Sequence, residues 1–180
     1  MRIAKWIVAA AVAATAMAGD QPKIQVCTSS TVQTGPDIPR AQQIAHTIFE
    51  QAGVEIEWVS LKACGADAIR IKVQGNTPEG DHGKAYAYAL PYEGHTIVVL
   101  YDRIVQGNGR SAAARVLAHV LAHEIGHILE GVARHSETGT LKPTFTAKDR
   151  ATMARENIGF APEDVDLIRL GIARRQKAGI

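Results

Sequence analysis

Cysteine is scarce in this 180-residue chain: Cys27 and Cys64 are the only two. They leave room for at most one intramolecular disulfide, and an even pair in an oxidising compartment is read as that bridge. Excess charge of one sign is also missing. The formal net charge is +2, and without the basic residues Arg2 and Lys5 the remaining acidic and basic side chains are equal in number. A near-neutral domain gives no electrostatic reason to expect nucleic acid or a membrane surface as partner. Long hydrophobic runs are absent apart from Trp6 to Ala14, which Thr15 interrupts and Gly19-Asp20 ends. That run is shorter than the roughly 20 apolar residues a membrane span needs. With the basic start before it and the small residues Ala16 and Ala18 after it, it reads as a signal peptide over residues 1–18, giving an exported protein, periplasmic or secreted. Stable membrane insertion after cleavage is not expected, and no lipid-attachment pattern precedes Cys27. Neither an internal repeat nor a low-complexity stretch occurs, so the remaining residues 19–180 are expected to form one domain around one core.

What is present alternates between strand and helix patterns. Lys23 to Val26 alternates as a strand does, and Thr28 to Pro39 has the composition of a loop. From Pro39 to Ala52 the apolar residues Ala41, Ile44, Ala45, Ile48, Phe49 and Ala52 recur at three and four residues, which predicts an amphipathic helix stopped by Gly53. Val54 to Val59 and Ala68 to Val73 read as further strands, and Gly75 to Gly83 as a loop. Ala85 to Leu90 ends at Pro91 and suits an edge strand. Thr96 to Ile104 is the most apolar segment and is expected to be the central strand. Gly107-Asn108-Gly109 reads as a turn, followed by a long helix capped by Ser111 and ending at Glu130 before Gly131. Thr146 and Pro162 open two more helices. The order predicts an α/β (α+β) domain: a twisted mixed sheet, a backing helix, a helix bearing the site, then a small helical part beyond residue 131.

The chemistry concentrates in the long helix, at His123-Glu124-Ile125-Gly126-His127. Residues four apart on a helix face the same side, so His123 and His127 can hold one metal ion. Glu124 is turned about a quarter of the way round the helix, where it can take a proton from a metal-bound water without being a ligand. Zn2+ is the expected ion, since it accepts imidazole donors and lowers the pKa of that water. The flanking Val116, Leu117, Val120, Leu121, Ile125, Ile128 and Leu129 argue against two casually solvated histidines. A catalytic zinc needs a third protein ligand and an open position. His135 is the nearest candidate, because Gly131 lets the chain reverse; Glu156, on a later helix, is its rival. His119, although in series with the other two, cannot reach the same ion from a straight helix, and is expected to be a supporting or partly buried residue.

The stretch His123 to His135 resembles the signature of the metzincin clan of zinc peptidases, His-Glu-x-x-His-x-x-Gly-x-x-His followed by a methionine-containing turn. Here Gly131 lies four residues after His127 and His135 lies eight after it. This lengthened form, with Thr138-Gly139-Thr140-Leu141 behind it, is similar to that of small exported bacterial metzincin-like proteins. The resemblance puts Leu141 in the place of the turn methionine. It implies a zinc-dependent endopeptidase acting on a peptide or protein substrate, with the edge strand Ala85 to Leu90 as the upper rim of its cleft. Two other readings use the same residues: a zinc-binding interaction domain that has lost catalysis, and a zinc hydrolase of non-peptide amides. The carboxylate beside the first histidine favours an enzyme, because pure binding has no use for it.

Overall fold

A computed structural model describes residues 23–75, 85–89 and 95–178 of the chain. The segment read as a signal peptide, and most of the loop read at Gly75 to Gly83, lie outside these residues.

The sheet has five strands: β1 (Lys23–Ser30), β2 (Glu55–Val59), β3 (Ile69–Gln74), β4 (Ala87–Ala89) and β5 (Thr96–Leu100), in the order β2-β1-β3-β5-β4. Four strands run parallel and β4 alone is antiparallel, paired with β5 at the edge. The register gathers Val26, Ile56, Ile69, Ile71, Val73, Ile97, Val99 and Ala87 on one face, and all of them are buried in the core. Gln25, Ser29, Glu57, Arg70 and Lys72 occupy the other face. Period-two alternation thus gives the sheet one apolar face, on which the core helices pack.

Two helices supply most of that packing. In α1 (Asp37–Gln51), Ala41, Ala45, Ile48 and Phe49 are fully buried, and Gly53 ends the run at φ +73. Helix α3 (Arg110–Glu130) packs against α1 and presents Ala113, Leu117, Ala118, Leu121, Ala122 and Ile125 to the core. The small α4 (Ala147–Met153) opens on a capping box between Thr146 and Asp149. The last helix, α5 (Pro162–Ala178), lies against α3.

Five sequence expectations need correction. The most apolar strand is not central: β5 lies between β3 and the edge strand β4. Its apolar run reflects burial of all its residues, not its place in the sheet. It also ends at Leu100. Tyr101 begins a short helix, α2 (Tyr101–Asn108), because Tyr101 and Ile104 stand nearly one turn apart and both reach the core. Gly107 and Asn108 belong to that helix, and Gly109, at φ +77, links it to α3, which starts at Arg110 without a side-chain cap from Ser111. Finally, β1 continues to Ser30, so Thr28 to Ser30 pair with β3 instead of forming loop.

The cysteines do bridge. Cys27, buried on β1, is bonded to Cys64 just beyond the 3-10 turn at Leu61–Ala63, with 6.0 Å between their Cα atoms. No helix among the described residues is long and apolar enough to cross a membrane.

Candidate metal centre

Helix α3 is buried over most of its length, and its exit is set by Gly131. With φ +70 this glycine takes the left-handed turn that a side chain would resist, and its N–H closes on the His127 carbonyl at 3.0 Å. The chain then doubles back, and His135 returns to the two helix histidines. One donor nitrogen from each of His123, His127 and His135 lies within 4.8 Å of the others. The His135 ring centroid is 5.4 Å from that of His123 and 4.9 Å from that of His127. Glu156 is exposed just beyond α4 and does not join the cluster.

Hydrogen bonds determine which nitrogens are offered. His123 Nδ1 donates to the Thr140 carbonyl at 2.9 Å, which leaves its Nε2 as a lone pair. His127 Nε2 stands 3.0 Å from that atom. Its own Nδ1 is buried towards the Val132 carbonyl without a complete hydrogen bond. Two imidazole nitrogens aimed at one point are a place for a cation. In a tetrahedral zinc site, with bonds of about 2.0 to 2.1 Å, neighbouring donors stand about 3.3 Å apart. Burial lowers the proton affinity of His123, and burial with the neighbouring His123 and His135 lowers that of His127 to about 3. Metal binding requires neutral imidazoles, and burial moves both rings in that direction.

The turn beneath the histidines is held from behind. Ser136 N–H bonds the Leu141 carbonyl, and Thr140 donates both its N–H and its hydroxyl to the Gly159 carbonyl, the hydroxyl also reaching Ile158. Leu141 is fully buried; a Cβ placed on Gly126, the residue before His127, would stand 3.0 Å from its Cδ2. The residue expected in the place of the turn methionine therefore packs directly under the histidine helix. His119 is fully buried and is no donor to the cluster. Its Nδ1 bonds the Arg115 carbonyl of its own helix at 2.8 Å, and its Nε2 accepts the Ile158 N–H at 3.0 Å. Thr140 is the contributor that sequence reasoning missed, since it acts through a backbone carbonyl that every residue type carries.

In front of the cluster is a cleft of about 610 Å³. His123, Glu124 and His135 line it together with Tyr86, Ala87, Val120, Lys142 and Phe145. Ala85 to Ala87, at the start of the edge strand β4, forms one wall and the segment from Lys142 to Phe145 the other. Burial raises the pKa of the Glu124 carboxyl from 4.5 to about 7. A desolvated carboxyl beside convergent imidazoles, in a cleft of this size, is a proton acceptor waiting for a compensating cation.

Fold and site together define a metzincin-like α/β domain carrying three histidines that could hold a metal ion. Among solved structures, the chain is similar to archaemetzincin from Methanopyrus kandleri, with a TM-score of 0.59 at 11% sequence identity, over 88% of this chain and 100% of that one. No protein-family model and no curated protein matches the sequence. At that identity the likeness speaks for the fold, and the chemistry rests on the residues themselves.

Proposed function

We propose that this chain is an exported zinc metalloendopeptidase that hydrolyses peptide bonds in a peptide or protein substrate. The observation that carries the reading is the convergence of His123, His127 and His135, two of which, His123 and His135, line one cleft together with Glu124. The three imidazoles would hold the ion. When bound, zinc supplies Lewis acidity, polarising the scissile carbonyl and making water more acidic. Glu124 accepts the proton of the attacking water and returns it to the departing amine, the part of a general base and then of a general acid. Its raised proton affinity suits both halves of that cycle. The edge strand β4 offers backbone groups to an extended chain, and Phe145, whose ring lies 6.0 Å from that of His123, is an apolar surface on the opposite wall. The Cys27–Cys64 bridge supports an oxidising compartment.

The test is digestion of a mixed peptide library, read by mass spectrometry. Cleavage should stop with a chelator and return with Zn2+. Glu124→Gln should keep its zinc and lose activity by at least about 100-fold, the usual scale of a proton-transfer catalyst. A protein loaded with one zinc that cleaves no peptide, or a Glu124→Gln variant as active as the unaltered chain, would overturn the proposal.

A further inference from the structure

His135 differs from the other two histidines in how it is held. His123 is fixed by its helix and by Thr140, and His127 by its helix. His135 lies on an exposed, irregular segment, and among the described residues its ring has contacts with His123 and His127 but no hydrogen bond. Its position must come from its neighbours in the chain.

Both neighbours end on one atom. Arg134 Nη2 bonds Asp164 Oδ1 at 2.6 Å, and the Ser136 hydroxyl donates to the same oxygen. Asp164 is fully buried in the first turn of α5; its other oxygen takes the Ala161 N–H at 3.3 Å, and its own N–H bonds the Ala161 carbonyl at 3.0 Å. The carboxylate is thus fixed to the start of its helix before it reaches the loop. The remaining charge here is Glu130, buried with both carboxyl oxygens unpartnered, near Asp164 and Arg134. A second buried acid makes this an expensive place for a carboxylate. Stability alone is poor ground for keeping one, because apolar groups of similar volume serve a core as well.

We propose that Asp164 is the positioning residue of the third metal donor: by gripping Arg134 and Ser136 on either side, it holds His135 over His123 and His127. This rests on the zinc reading above. Outer partners that orient a ligand typically change metal affinity by about 10- to 100-fold when removed.

The experiment uses the full chain and Zn2+ in competition with a chromogenic chelator, with Co2+ substituted for its absorption spectrum. Asp164→Asn should bind Zn2+ at least about tenfold more weakly, and its Co2+ spectrum should move towards that of His135→Ala. Asp37→Asn serves as control: Asp37 is equally a buried acid, bonded by Tyr101 at the start of α1, away from the loop. It should lose stability and keep its metal affinity and spectrum. If Asp164→Asn fails to fold, Ser136→Ala removes one of the two grips alone and should still weaken Zn2+ binding. Unchanged affinity and spectrum in the folded variant, or equal losses in Asp164→Asn and Asp37→Asn, would overturn the role of Asp164. Failure of the unaltered chain to bind Zn2+ overturns the metallopeptidase reading itself, and the positioning role with it.

Discussion

Replacing Glu124 by glutamine should make the metal-free protein more stable, and only above mildly acidic pH. The folded chain raises the pKa of this carboxyl from 4.5 to about 7 through burial. Folded protein therefore holds the proton more tightly than unfolded protein does. The stability tied to that proton is complete below about pH 4.5, falls by about 1.4 kcal/mol per unit as the pH rises, and levels off above about pH 7. The full loss is about 3 kcal/mol, a large part of the stability of a domain this size. Glutamine carries no such charge. Urea unfolding of chelator-treated protein at pH 5 and pH 8 measures the effect, and the histidine titrations cancel when the variant is compared with the unaltered chain at each pH. The advantage of Glu124→Gln should grow by about 2 to 3 kcal/mol between those two values, and saturating Zn2+ should shrink it by compensating the carboxylate. An advantage that does not change with pH would show that Glu124 is not buried as a strained base, and the argument for its catalytic role would lose its electrostatic half.

Other expectations follow from single contacts. His135→Ala should weaken zinc binding by orders of magnitude in a metal titration while Glu156→Ala leaves it unchanged; the reverse would overturn the donor set. A Cβ on Gly171 would stand 1.7 Å from the Leu129 carbonyl oxygen. Gly171→Ala must therefore push α5 away from α3, and should cost at least about 2 kcal/mol in denaturant unfolding despite alanine's better helix propensity. Replacing both Cys27 and Cys64 by serine removes a link across 37 residues of sequence and should cost about 4 kcal/mol in the chain-entropy account. Two freely alkylated thiols in the native protein would contradict the bridge.

Much of the candidate cluster's geometry was legible in the sequence because it depends on short-range spacing. His123, Glu124 and His127 follow from helical spacing alone, and His135 from a glycine that ends the helix within reach of it. The layers were legible for the same reason, since alternation in β1, β2 and β3 and the three-four spacing in α1 are local. What escaped depends on distant partners. Nothing in the run Thr96 to Ile104 says that its strand stops at Leu100, because the burial that draws Tyr101 and Ile104 inward is supplied by the folded core. His119 looked like a supporting residue, but its partner, the Ile158 amide, is 39 residues away. Nothing in the sequence singles out Asp164, whose contact with Arg134 spans 30 residues.

The support of the cluster has a consequence for the order in which the molecule can be completed. The histidine helix and the sheet beneath it are finished by residue 130, yet the Thr140 carbonyl that orients His123 is itself held by Ile158 and Gly159, and Ile158 is in turn tied to His119. The neighbours of His135 wait for Asp164, later still. A nascent chain ending short of α5 would own every donor atom and still lack the Asp164 contacts on either side of His135. On the zinc reading, metal capture would be deferred until nearly the whole chain has emerged, and the bare helix, with only two of its histidines in register, would be a weak competitor for zinc in the meantime.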